Sequence, residues 1–395
     1  MKRRDIRAII TVLTMMLTVP AGAQPAVPGS EAAQIDQIVQ DAMETGNVRA
    51  AIVKVTRGDE VIIRKAYGPS MTGVPATPEM HFRNGAVAFA YVSTLLLRYV
   101  DQKKVGLDDT IDKWMPNLPS ADKVTLRMLT NQTSGYPDYE TDPKFIAAFN
   151  ADPFHIFTYQ ERLDFAFSRP AQFEPGRNWS YAHTNFMILG EILARIGGKP
   201  LETLLHDEVI VPMGLKNTTG ARTAEIPPPA LHTFSAERVP PNYEESTYWN
   251  TQWGTPMGAD ETTTIDDLIT TAVAVGTGKL LSRSSYREMT GPKLIGFGER
   301  LPGCQPSCFK QSIYYNYGLG TVRSGDWILQ NPLLSGLGVV EAYLPSEKVA
   351  IAIAVTLTPG AYDSAGNYSS PANPMFQKIS AVMAPGKAAP VPPAR

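Results

Sequence analysis

The sequence predicts an α/β fold in which one sheet is assembled from both ends of the chain around an inserted helical region. Three observations carry this expectation. Residues 50–55 and 61–66 are β-like runs on either side of Arg57-Gly58-Asp59-Glu60, a hairpin signal. From Tyr317 onward the pattern turns again to short β-like runs separated by turn residues. Between these ends, apolar residues recur at helical spacing, broken by Pro/Gly turns.

At the front, Lys2, Arg3, Arg4 and Arg7 precede an apolar stretch, residues 8–19, and then Ala21-Gly22-Ala23. This is the layout of a secretory signal peptide over residues 1–23 with a small-x-small cleavage site, so an exported chain, periplasmic or secreted, is expected. A short membrane anchor is the weaker alternative, because the apolar run falls short of the roughly 18 residues a span needs. No stable membrane span is expected once the signal is cleaved. Residues 31–45 carry Ile35, Ile38, Val39 and Met43 at helical spacing. Residues 86–100 are apolar and continuous enough for a buried helix, stopped near Gly106. Further helical segments are expected at 145–149, 162–167, 185–196 and 265–276. Strands follow at 317–323, 327–330, 338–344 and 349–357, with Ser324-Gly325-Asp326 and Pro345-Ser346-Glu347-Lys348 as turns.

These elements divide one domain, 24–385, into an α/β subdomain of residues 28–75 and 262–385 and a helical subdomain of residues 76–261. The Ala/Pro-rich tail, 386–395, is expected to be disordered. Only two cysteines occur, Cys304 and Cys308. In an oxidising compartment a local disulfide is favoured over a metal site, because no further ligands are grouped beside them.

The chain has 395 residues, 43% hydrophobic and 19% charged, with 36 Lys+Arg against 38 Asp+Glu and a formal charge of −2. A near-neutral balance without runs of like charge argues against binding of nucleic acid or an acidic membrane surface. No Gly-rich phosphate loop and no metal-ligand spacing among the five His residues point to a cofactor, so none is expected. His155, His206 and His232 read as scattered surface or packing residues.

Several segments, in order, resemble the serine β-lactamase, D-alanyl-D-alanine carboxypeptidase and esterase family, particularly its class C branch. They are His81-Phe82-Arg83-Asn84-Gly85, Val105-Gly106-Leu107-Asp108-Asp109, the run from Val124 to Gly135 with Gln132 where His is usual, Phe173-Glu174-Pro175-Gly176, Trp179-Ser180-Tyr181, Pro212-Met213-Gly214-Leu215, Tyr317-Gly318-Leu319-Gly320 and Ala342-Tyr343-Leu344-Pro345. The resemblance covers nearly the whole mature chain. It implies a penicillin-binding-protein-like antiparallel sheet flanked by helices.

It also implies three catalytic motifs, and each is altered here. Ser-x-x-Lys, whose lysine helps remove the serine proton, falls on Ala86-Val87-Ala88-Phe89, which has neither nucleophile nor cation. A literal Ser-x-x-Lys occurs at Ser120 to Lys123, in what the family makes a surface loop, and reads as a decoy; Ser93, on the buried helix, reads as a packing hydroxyl. Tyr-x-Asn falls on Tyr181-Ala182-His183. The phenol survives without the lysine, as a ligand-binding group or a structural aromatic, and His183 as a replacement base has no nucleophile to activate. Lys-Thr-Gly falls on Gln330-Asn331-Pro332, where proline removes a backbone donor. Arg323-Ser324-Gly325 mimics that triplet but reads as a hairpin turn.

The expectation is therefore a non-catalytic relative with Tyr181, His183 and Asn331 as candidate ligand contacts for a peptide, cell-wall fragment or partner protein. One structural alternative has the old cleft filled by Phe89 and the protein acting through its exterior. An active serine hydrolase using non-standard residues through an acyl intermediate is the enzymatic alternative.

Overall fold

The computed structural model describes residues 29–393 except 46, 221–222, 239 and 305. The expected signal peptide lies outside the described residues. Along the chain run helices α1 (Glu31–Glu44), α2 (Val87–Asp101), α3 (Pro143–Ala151), α4 (Tyr159–Phe167), α5 (His183–Gly197), α6 (Ile265–Thr277), α7 (Arg283–Thr290) and α8 (Ala372–Met383). The main sheet contains β1 (Val48–Arg57), β2 (Glu60–Tyr67), β3 (Asn316–Tyr317), β4 (Val322–Ser324), β5 (Trp327–Gln330), β6 (Leu333–Leu334), β7 (Leu337–Leu344) and β8 (Val349–Leu357). Its strands lie in the order β3-β4-β5-β7-β8-β1-β2, with β6 on β7, and every pairing is antiparallel.

The sheet joins the two ends of the chain: β1 pairs with β8 from Val48 opposite Leu357 to Arg57 opposite Val349. The sequence of β8 shows why both faces are covered. Val349, Ile351, Ile353 and Val355 point one way, into a core shared with Ile35 and Val39 of α1 and Phe376 and Ile379 of α8. Ala350, Ala352 and Ala354 point the other way, and their small side chains let the sheet approach the helical layer closely. Gly276 of α6 marks that approach, since a Cβ there would sit 2.3 Å from Tyr343 Cδ1 of β7. No described helix is long and apolar enough to cross a membrane.

Two expectations differ from the structure. Residues 317–323 are not one strand: Gly318 donates to Thr321 across a tight turn, and β3 and β4 form a hairpin around it. The turn is seated against α2 at Gly320, where a Cβ would lie 2.5 Å from the Phe89 carbonyl oxygen, so glycine and a break in the strand are both required there. The tail is likewise placed for residues 385–393. A 3-10 turn covers Pro385–Lys387, Trp327 Nε1 donates to the Lys387 carbonyl (2.8 Å), and Ala389 N donates to Ser380 Oγ (2.9 Å) with Ala389 buried. Composition pointed to disorder, but two hydrogen bonds and a buried methyl dock this segment on β5 and α8.

Candidate functional site

Helix α2 starts abruptly. Gly85 has φ +53°, and a Cβ on it would lie 2.8 Å from Pro332 Cβ, so the turn before the helix abuts the β5–β6 connection. Ala86 follows as N-cap with no side-chain cap. One turn on, Phe89 is fully buried and stacks on Phe186 of α5, with centroids 4.0 Å apart and planes 6° from parallel. Its ring also meets the edge of His183 (5.9 Å) and lies tilted against Tyr181 (6.1 Å).

Phe89 packs beneath the cleft and does not fill it, which corrects the structural alternative. A cavity of about 290 Å³ remains, lined among others by Ala86, Glu140, Tyr181, His183, Trp253 and Tyr315. Gln330, Asn331 and Pro332 line it too, so the fold gathers the three altered motifs around one space. Among the described residues no lysine lines it.

Each wall has a sequence cause. Gln132, in the left-handed region at φ +68°, accepts from Ala182 N (3.1 Å) and from the Asn185 amide, fixing the chain where Tyr181 enters the cavity and α5 begins. The Tyr181 phenol is pushed well above its ordinary pKa by burial, with Tyr317, Tyr315, Glu140 and Asp138 adding to the shift. It is a neutral hydroxyl at physiological pH. Gln330 donates to the Gly320 carbonyl (2.6 Å) and Asn331 to Asn373 Oδ1 (3.0 Å), so both amides already have protein partners.

Two acids that sequence reasoning missed, Asp138 and Glu140, join His183, which it named. Asp138 and Glu140 flank the buried Tyr139 in a 3-10 turn, and His183 is the first residue of α5. His183 Nδ1 lies 3.0 Å from Asp138 Oδ2 and 2.9 Å from Glu140 Oε1. Burial alone pulls the imidazole pKa down, but the charges of Glu140 and Asp138 outweigh it and carry it up to about 10. Burial lifts Glu140 to about 7 against the opposing pull of His183. A protonated His183 is no general base. The donor atoms of Asp138, Glu140 and His183 all lie within 4.8 Å of one another, close enough to hold a metal ion. The fold brings together three ligand-type side chains that sequence spacing does not group. The visible signal was Asp138-Tyr139-Glu140, separated by two residues from the Thr133-Ser134-Gly135 segment.

Asp260 is a second acid on the cavity wall. Arg83 Nη1 donates to its Oδ2 (2.9 Å) and Thr251 Oγ1 donates to the same atom (3.2 Å), while Oδ1 has no hydrogen-bond partner. Burial raises its pKa, opposed by Arg83.

The remaining candidates lie elsewhere. Ser120 and Lys123 are exposed in a turn closed by Lys123 N to the Ser120 carbonyl (2.9 Å), away from the cavity. Ser93 is buried in α2, where a Cβ on Gly320 would lie 2.1 Å from its Oγ; it packs the turn after β3. Arg323-Ser324-Gly325 forms part of the β4–β5 hairpin. His155, His206 and His232 pair separately with Glu161, Asp207 and Glu245. Cys304 and Cys308 form a disulfide with Cα atoms 5.4 Å apart, and Cys304 Sγ lies 3.4 Å from Ser180 Oγ, next to Tyr181.

Comparison with known proteins adds kinship to this geometry. Residues 35–369 match the family described as Beta-lactamase. Penicillin-binding protein 4* of Bacillus subtilis is 22% identical over 293 residues, covering 71% of this chain and 59% of that protein. The chain spans about half the length of the curated relatives it matches. Among solved structures, a D-stereospecific amidohydrolase from Streptomyces sp. superposes with a TM-score of 0.72 at 22% identity, covering 90% of this chain and 99% of that one. The D-amino acid amidase of Ochrobactrum anthropi SV3, solved with D-phenylalanine, gives 0.73 at 22% identity, covering 89% and 99%. These structures share the antiparallel sheet flanked by helices.

Proposed function

The chain belongs to the β-lactamase family, and from that premise we propose that it is a non-catalytic member whose cleft binds a small peptide or cell-wall fragment outside the cytoplasm. One observation carries the reading. The head of α2 offers a methyl at Ala86 and a stacked ring at Phe89, where an acyl-enzyme route needs a hydroxyl and an amine, yet the cavity beside them stays open. Its volume suits a ligand of one or two residues. Aromatic faces at Tyr181, Trp253 and Tyr315 and carboxylates at Glu140 and Asp260 line it. Such a wall favours a ligand with an apolar side chain and an ammonium group. The amidase solved with D-phenylalanine has the same fold, which supports a D-amino acid or a short peptide carrying one. The basic, apolar leader of residues 1–23 supports the periplasmic or secreted placement.

Incubation with a fluorescent penicillin and with a fluorophosphonate, followed by intact mass measurement, tests the non-catalytic half. No adduct is expected, and a stoichiometric one overturns it. Thermal shift and calorimetric titration with D-phenylalanine, L-phenylalanine and D-alanyl-D-alanine test the binding half. Saturable binding abolished by Trp253→Ala is expected; absence of binding to all three, or binding that Trp253→Ala leaves unchanged, rejects this ligand class.

A further inference from the structure

We propose that Asp138, Glu140 and His183 form a divalent-metal site in the cavity wall. The first support is spacing. Adjacent ligands of a six-coordinate ion bonded at about 2.1 Å stand roughly 3.0 Å apart, and four-coordinate geometry opens this to about 3.4 Å. His183 Nδ1 lies 3.0 Å from Asp138 Oδ2 and 2.9 Å from Glu140 Oε1, the separations of donors that share one ion.

The second support is that two carboxylates share a single ring hydrogen. The hydrogen of Nδ1 serves Asp138 Oδ2 (3.0 Å). Glu140 Oε1 is enclosed and lies 2.9 Å from the same nitrogen, competing for its one hydrogen. One proton satisfies one of the two carboxylates; a cation at the point where the three atoms converge satisfies both. Once the ion displaces the Nδ1 proton to solvent, two carboxylates and a neutral imidazole match the charge of a divalent ion.

The third support is that the donors are held in place before any ion arrives. Asp138 Oδ1 accepts from Glu140 N (3.2 Å), which leaves Oδ2 for the cluster. Thr184, the residue after His183, donates through Oγ1 to the Pro137 carbonyl (2.6 Å) and accepts from Tyr139 N (3.3 Å), lacing α5 to the turn that carries both acids. Such outer contacts orient metal ligands. The nearby Arg162 is turned aside, with Nη1 donating to the carbonyls of Gln252 (3.2 Å) and Thr255 (2.8 Å). Glu140 and His183 line the cavity, so the open coordination positions face it, available to water or to an oxygen of a bound molecule. One nitrogen and two carboxylate oxygens suit Zn²⁺ or Mn²⁺ better than Ca²⁺, which takes six or more oxygens. The site extends the binding reading without depending on it, because the metal alone is the probe.

The test uses the full mature chain, stripped with chelator and dialysed against Zn²⁺ or Mn²⁺, with bound metal counted by mass spectrometry. One equivalent is expected, with affinity reduced about tenfold or more in Glu140→Gln and in His183→Gln. His232→Gln should leave it unchanged, since His232 pairs with Glu245 (2.6 Å) at a separate surface position. No bound metal, or equal binding by all three variants, overturns the site. Should the variants misfold, imidazole nitrogen NMR of the wild type decides the matter. Added Zn²⁺ is expected to remove the Nδ1 proton signal of His183 alone among the five histidines, and an unaltered His183 signal rejects the proposal.

Discussion

Two sides of the cavity differ in chemistry and meet where the Phe89 ring touches the edge of His183. On the α2 side, Ala86 and Phe89 present a methyl and a ring locked against Phe186, all apolar and closely packed. On the other side, Asp138, Glu140 and His183 bring two carboxyls and an imidazole into a largely enclosed space. The first wall stabilises the fold, since an aromatic pair adds about 0.5–1.5 kcal/mol beyond the area it buries. The second carries a desolvation cost that pairing only offsets. A fold has no thermodynamic need for the second wall, whereas it gains from the first. The difference teaches that packing alone accounts for Ala86 and Phe89, whereas the cost of the charged side is not explained by packing.

The contrast breaks most readily at Phe89. Phe89→Ala removes a buried ring and should cost about 3–5 kcal/mol in urea denaturation. Phe89→Lys adds an unpaired ammonium beneath the cleft and should cost at least as much. A Phe89→Lys protein as stable as wild type would show that this wall is not the packed apolar surface described.

Glu341 separates the cost of burial from the benefit of pairing. It is buried in β7, and burial alone lifts its carboxyl to about 8, whereas Glu140 has His183 beside it. The buried Tyr91 phenol feels the Glu341 charge as well. A carboxyl whose folded pKa lies above its unfolded value of 4.5 holds its proton longer in the native state. Its contribution to stability is therefore intact below about pH 4.5, declines as pH rises, and is lost by about pH 8. Glu341→Gln should flatten that decline and stabilise the protein at pH 8 by roughly 2–4 kcal/mol. Denaturation curves at pH 5 and pH 8 for both proteins check this, and equal pH slopes would count against it.

The smallest expected effect is at Ala86. Ala86→Ser restores a hydroxyl with no amine beside it, so turnover of nitrocefin and of p-nitrophenyl esters should stay at the buffer rate. Measurable turnover would mean that the charged wall or Tyr181 already supplies a base, and the division between the walls would fall.

Much of this arrangement is legible in the sequence. β8 alternates Val or Ile with Ala, β1 and β2 flank an Arg-Gly-Asp-Glu turn, and α2 is a long, mostly apolar run, so each is visible locally. The altered motifs at Ala86, Tyr181 and Gln330 are found by order along the chain. The charged wall is not, because Asp138 and His183 are 45 residues apart and meet only through the packing of α5 on the 3-10 turn. The docked tail is hidden for a similar reason. Ala and Pro have no periodicity to read, and the groups that hold the segment, Trp327 and Ser380, belong to β5 and α8.

The pairing of β1 with β8 also sets a schedule for biosynthesis. Ala50 N donates to Thr356 Oγ1, 306 residues later. At about 5–20 residues per second, β1 and β2 emerge roughly 15–60 s before the strand that covers their open edge. Throughout that interval the hairpin exposes Ile52 and Val53 beside an unpaired backbone, the kind of edge that recruits other chains. Helices α2 to α5 make shorter-range contacts and can pack in the meantime. Recombinant yield of this protein should thus depend on what shields residues 48–67 before the last strand is made.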